Sequence, residues 1–197
     1  MNTIKSVILA SVLLLQGCTT MPTQFYSLDA IAPSNVLQRH HADKKPLVGI
    51  TQITLPSALE RKQLVTRDSH GTLLLSEQHQ WAGLLKQNMT EVMATNFATV
   101  YPQFWFKAYP WSTLGMVDYR MVIEVTQLDI VMGKSITFSA NWTLLDEKTH
   151  LVVAHDNLMI EQALIDDNYA HAVNAMNQLL VTFVEIAHFS HYFPLKL

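Results

Sequence analysis

The residue types able to do chemistry in this chain are nine histidines, 16 carboxylates and a single cysteine, spread over 197 residues. A metal site would need several of these at ligand spacing. His188 and His191 stand three apart, which can bring both to one helix face, and His40 and His41 are adjacent. Neither pair has a third ligand at a characteristic distance, and no His-Glu-x-x-His run occurs. Serine hydrolysis would call for a Gly-x-Ser-x-Gly elbow and phosphate binding for a glycine-rich loop; the first is absent and the six glycines are scattered. The carboxylate pairs Asp146-Glu147 and Asp166-Asp167 fit turn formation and helix capping. The chain reads as a non-enzyme without metal or cofactor, and its one thiol, Cys18, needs another explanation.

That explanation lies in what precedes the thiol. Met1 to Lys5 carries one positive side chain, and Ser6 to Leu15 is apolar apart from two serines. This is the n-region and h-region of a secretory signal, too short for a transmembrane helix, which needs about 20 apolar residues. Leu15-Gln16-Gly17-Cys18 resembles a bacterial lipobox, with leucine three positions before the cysteine and a small residue just before it. In that pattern the sulfur receives a diacylglycerol, the peptide is cut before Cys18, and the new amino terminus is acylated. Acylation removes the thiol, which accounts for an unpaired cysteine in an exported chain. Several acyl chains at about 0.8 kcal/mol per buried methylene anchor a protein firmly. Thr19 follows, where an aspartate would hold a lipoprotein at the inner membrane in the enterobacterial sorting code. The expected location is therefore the outer membrane, facing the periplasm.

Residues 1–17 thus read as a signal peptide, 18–24 as a tether, and 25–197 as one periplasmic domain, a length that suits a single core. Removing Lys5 with the signal leaves 12 basic against 16 acidic residues. That balance gives no basic face for nucleic acid. Apolar residues are 49% of the chain and charged ones 15%, ample for a core and rich enough for a buried partner surface or homo-oligomer.

The elements that would carry these residues follow from periodicity. Phe25 to Leu28 reads as a first strand, Pro33 to Pro46 as a loop, and Leu47 to Leu55 as a strand stopped by Pro56. Gln63 to Arg67 and Thr72 to Leu75 flank Asp68-Ser69-His70-Gly71 and read as a hairpin. Ser76 offers a helix N-cap, and Trp81, Leu84, Leu85, Met89, Val92, Met93 and Phe97 recur at helical spacing, so a helix is expected over Ser76 to about Ala98. A short strand is expected at Phe104 to Lys107. Ser135 to Leu144 alternates Ile136, Phe138, Ala140, Trp142 and Leu144 against polar residues. With Asp118 to Val131 and Leu151 to Ala163 it should form a long antiparallel meander. A second amphipathic helix is expected over Asn168 to about His188, capped by Asp166 or Asp167. Two one-striped helices and a sheet make an α+β fold, a two-layer sandwich with a mostly antiparallel sheet.

Between Ile53 and Leu85 the order of short motifs is distinctive: Leu55-Pro56, Leu59-Glu60-Arg61, Gln63-Leu64-Val65-Thr66-Arg67, and His79-Gln80-Trp81-Ala82. In this order, with the lipobox, the early Phe25-Tyr26-Ser27-Leu28 and a closing helix, the chain resembles the PqiC/YmbA family of auxiliary lipoproteins, which accompany MCE-type ABC lipid-transport systems. Departures are Ala58 for a usual tyrosine, Glu60 for aspartate, Lys62 for proline, Gln80 for arginine and Gly83-Leu84 for Glu-Pro. The resemblance implies a non-catalytic transport subunit that supports envelope integrity, with a periplasmic MCE protein of the PqiB kind as partner. Pro56, Leu59, Arg61, Arg67 and Trp81 are the candidate partner-binding residues. Both arginines could pair with carboxylates inside the domain or on a partner, and Trp81 serves either contact or core. Two other readings stay open: a lipid carrier lined by Phe104, Trp105, Phe106 and Trp111, and a self-assembling structural lipoprotein.

Overall fold

The computed structural model describes residues 21–30, 45–111 and 115–192. The expected signal peptide, Cys18, His40, His41 and most of the loop before Pro46 lie outside these residues.

The large sheet is built on three long antiparallel strands, β6 (Tyr119–Val131), β7 (Ser135–Asp146) and β8 (Val152–Ala163). The alternation read in the sequence places Ile136, Phe138, Ala140, Trp142 and Leu144 on a buried face. On β6 the buried set changes phase, from Met121, Ile123 and Val125 to Leu128 and Ile130. A bulge between Val125 and Gln127 absorbs one residue there, so both halves face the same core. Two parallel neighbours complete the sheet: β2 (Leu47–Ile50) beside β6, and β5 (Trp105–Ala108) at the edge beside β2. A smaller sheet holds β1 (Gln24–Tyr26), β4 (Leu73–Trp81) and β3 (Gln63–Arg67), with β4 central. Two helices, α1 (Leu85–Val100) and α2 (Tyr169–Ile186), cover the apolar face. The architecture is α+β, as expected, though its sheets are mixed.

Local expectations shift at five places, the first being β1, expected over Phe25 to Leu28 and found at Gln24–Tyr26. The strand expected to reach Leu55 ends at Ile50; beyond it Thr54 makes one bridge to Glu124, and the buried Ile53 N–H turns to the Thr90 hydroxyl of α1 at 3.0 Å. Ser76 starts no helix. β4 runs on to Trp81 because both edges find partners there, Gln63 opposite Gln80 on one side and Gln24 to Tyr26 opposite His79 to Trp81 on the other. Ser76 Oγ does accept a backbone N–H three residues on, from His79 at 3.1 Å, the bond that an N-cap makes, but within a strand. α1 begins only at Leu85, and Trp81 belongs to a strand end, not to a helical stripe. Asn168 caps α2, accepting from Ala170 N at 2.8 Å, while Asp166 lies two residues upstream and accepts from Asn168 N at 3.1 Å. The short aromatic strand is displaced by one residue, to Trp105–Ala108.

The aromatic segment packs as core. Phe97, Tyr101, Phe104, Phe106 and Phe189 form one cluster, with ring centroids as close as 5.1 Å for Phe104 and Phe189. Trp105 turns outward at 61% exposure, and Trp111 lies over Gly49, where a Cβ would meet its ring at 3.0 Å and Val117 Cγ1 at 2.9 Å. Of the four aromatics, Phe104 and Phe106 are thus taken up by the core cluster, Trp105 faces outward, and Trp111 stands over Gly49.

Gly49→Ala should therefore lower unfolding stability by about 1–3 kcal/mol, the usual cost of forcing a methyl into a packed core, measured by urea titration. Tyr101 gives a second test. Its hydroxyl donates to Val184 O at 3.0 Å and accepts from Phe189 N at 3.2 Å. Burial raises the pKa of this phenol above its ordinary value, favouring the neutral form. The resulting stability is complete below the unfolded tyrosine pKa of about 10 and is lost as pH rises through the folded value. Tyr101→Phe should cost roughly 1 kcal/mol near neutral pH and flatten the alkaline decline of the melting temperature.

Candidate functional site

Three of the five expected site residues come together. Pro56 opens a short 3-10 turn, Ser57–Leu59, closed by Leu59 N donating to Pro56 O at 2.8 Å. This turn, the Val65 to Arg67 end of β3, and Leu73 face Thr126 to Ile130 of β6 across a small cleft of about 110 Å³. Leu59 forms its apolar floor at 8% exposure.

Arg67 is committed within the domain. Its Nε and Nη2 donate to Asp129 Oδ1 at 2.9 and 2.8 Å, and Nη1 donates to Gly71 O at 2.7 Å. Asp129 Oδ2 accepts from Gln127 Nε2 at 2.8 Å. The guanidinium thus ties the hairpin tip to the end of β6. Asp68 shapes the tip: its carboxylate accepts from Thr72 N at 2.8 Å and His70 N at 2.9 Å, and these bonds, that from Thr72 foremost, lower its pKa. Gly71 completes the turn at φ +88°, a conformation open to glycine.

Arg61 is placed differently. It follows the 3-10 turn on the surface, its N–H donating to Leu59 O at 2.8 Å, and among the described residues no carboxylate pairs with its guanidinium. Its neighbour Glu60 is taken by Lys86 at 3.1 Å. Lys62, also exposed, fixes Trp81 by accepting its N–H at 2.7 Å. Trp81 itself is 6% exposed and packs in the core, beside a second hollow lined by Tyr26, Gly83, Leu84 and Asn88. The result is a cleft of mixed polarity with an ion pair in its wall, and an exposed cationic pair, Arg61-Lys62, that meets no carboxylate among the described residues, at the other end of β3.

Motif reading missed Asp129, which sits in a run with no signal beyond strand alternation. It also missed two asparagines that hold the segment after β1. Asn88 of α1 exchanges bonds with the Leu28 backbone, accepting its N–H at 2.7 Å and donating to its oxygen at 3.1 Å, and Asn177 of α2 accepts from Asp29 N at 3.1 Å. Tyr26 adds a bond of 2.9 Å to His79, whose ring stacks on Tyr169 at 3.9 Å. Among the described residues no group of three or more histidines, cysteines or carboxylates is placed to hold a metal ion, and no helix is long and apolar enough to cross a membrane.

Solved structures share this fold. A crystal structure of an uncharacterised protein superposes with a TM-score of 0.70 at 15% identity, covering 85% of this chain and 97% of its own. Protein XCC0632 from Xanthomonas campestris gives 0.67 at 14% identity, covering 85% and 94%. No functionally curated protein matches in sequence. The family model for the ABC-type transport auxiliary lipoprotein component matches residues 26–187, from the last residue of β1 through the end of α2, and with both helices and every strand from β2 on inside that span the chain belongs to this family of transport auxiliary lipoproteins, the PqiC/YmbA family.

Proposed function

We propose that the protein is a periplasmic lipoprotein, cleaved after residue 17, acylated on Cys18 and anchored in the outer membrane. Residues 18–24 form its tether and 25–197 its single domain. It serves as the non-catalytic auxiliary subunit of an MCE-type ABC lipid-transport system and supports envelope integrity. Its partner is a periplasmic MCE protein of the PqiB kind. The single observation that carries the docking site is Arg61: a guanidinium that meets no carboxylate among the described residues, beside the Pro56 to Leu59 turn, while Arg67 is spent on Asp129. A charge-assisted contact to a partner carboxylate is worth about 1.5–3 kcal/mol, enough to weigh on affinity. Trp81 contributes by holding β4 against β1, beneath the docking surface.

A self-assembling reading draws on a different feature. β8 is a twelve-residue edge strand without proline or lysine, bearing Met159 at 64% exposure, and it could pair with a second copy.

Cys18→Ala should abolish the lipid adduct on the mature protein in intact-mass spectra and move the chain from the envelope to the soluble fraction. In pull-downs from detergent-solubilised envelope, Arg61→Glu should reduce recovery of the MCE partner at least about tenfold while the melting temperature stays unchanged. Arg67→Ala should instead cost stability, roughly 1 kcal/mol for a half-exposed pair. Recovery of the chain with itself alone, or with lipid alone, would refute the docking role of Arg61.

A further inference from the structure

We propose that the tip of the β3–β4 hairpin, with Leu73, Leu74 and Leu75, rests in the interface of the bilayer to which the chain is anchored. The inference depends on the acylation of Cys18 proposed above. These consecutive leucines are 40%, 49% and 45% exposed. Because successive strand residues point to opposite faces, both sides of the hairpin present apolar surface. β1 covers the edge of β4 only at His79 to Trp81, so among the described residues no strand lies beside Leu73 to Gln78 on that edge.

Strand direction selects the surface that they face. β1 runs parallel to β4, so the chain enters the small sheet from the side on which the hairpin tip lies. Gln24 stands opposite His79; Leu73 precedes His79 by six positions and Cys18 precedes Gln24 by six. Six residues reach about 20 Å at most. An acyl anchor on Cys18 therefore lies within about 20 Å of Gln24, about the span from His79 back to Leu73, which leaves the hairpin tip within reach of the bilayer. The origin of the tether is rigid, since Tyr26, Leu28 and Asp29 are bonded to His79, Asn88 and Asn177.

The chemistry at this end suits lipid. Arg67 ties the tip to the end of β6, and past the β6–β7 turn Leu164 N donates to Lys134 O at 3.0 Å, so Ile165, 98% exposed, belongs to the same end of the molecule. The tip turn carries Asp68 and His70, Arg67 is paired with Asp129, and the charges near Ile165 are a single exposed lysine, Lys134, with Asp166 and Asp167. The contact is accordingly apolar insertion at the headgroup boundary, with no basic patch to attract anionic lipid.

The test uses the full acylated chain in vesicles of phosphatidylethanolamine and phosphatidylglycerol. A bimane label is placed on Leu74→Cys or, as a control on the polar face of β8, on His155→Cys. Nitroxide-bearing lipids should quench the label at position 74 severalfold more than at 155. Equal, weak quenching at both positions, in protein whose mass shows lipid on Cys18, would overturn the hairpin contact and leave the anchor standing. Label-to-label contact between copies at position 74 without lipid quenching would overturn it in favour of self-association. A mass without lipid on Cys18 would instead refute the anchor reading, and this inference with it.

Discussion

One residue of slack in β6 holds the fold in register. Strand side chains alternate with a strict period of two, so without the bulge between Val125 and Gln127 the buried set Met121, Ile123 and Val125 would be continued by residues on the opposite face. Leu128 and Ile130 would then meet solvent, and each such side chain stabilises by about 1.5–3 kcal/mol when buried. With the bulge, the two halves of β6 present one apolar face, and every β6 residue but Thr126 has a partner on β7. Both helices bury their stripes on that face, and Phe183 meets Phe138 edge-on at 5.6 Å.

The bulge has a second consequence. Past it, Gln127 and Asp129 occupy the phase that the buried residues held before, and are half-exposed. Asp129 then becomes the acceptor for Arg67, and the small sheet is fastened to the large one through that pair and through the cleft of Pro56, Leu59 and Val65. The two sheets share no backbone ladder. Their relation depends on side chains: Arg67 at one place, His79 stacked on Tyr169 at another, and Asn88 and Asn177 on the chain leaving β1. Two kinds of arginine result. Arg67 is structural because a carboxylate stands opposite it, whereas Arg61, six positions earlier, meets none among the described residues and is left to the surface.

Where sequence reasoning misplaced an element, the competing interaction can be named. Ser76 made the side-chain bond of a helix cap, yet the ladder to β3 and the three residues of β1 outweighed it and kept the chain extended to Trp81. Helical propensity is a weak prior beside strand pairing on two edges. α1 consequently starts behind Leu84, which offers no side-chain cap. At α2 the expected cap slipped by only one or two residues, because Asp166, Asp167 and Asn168 are all competent and geometry alone selects among them.

The amino-acid sequence by itself determined the lipobox-like tetrad around Cys18, the α+β class, the three-strand meander, the two helices, and the motif order between Leu55 and Ala82 that marks the family. All of these depend on local period or on short runs of residue type, which a linear reading can detect. Only the tertiary structure decided the parallel placement of β1, β2 and β5, the burial of Phe104 and Phe106 against the exposure of Trp105, and the separation of Arg67 from Arg61. Each of these turns on a partner distant in sequence, Asp129 for Arg67 above all, and no local pattern encodes which distant residue will stand opposite.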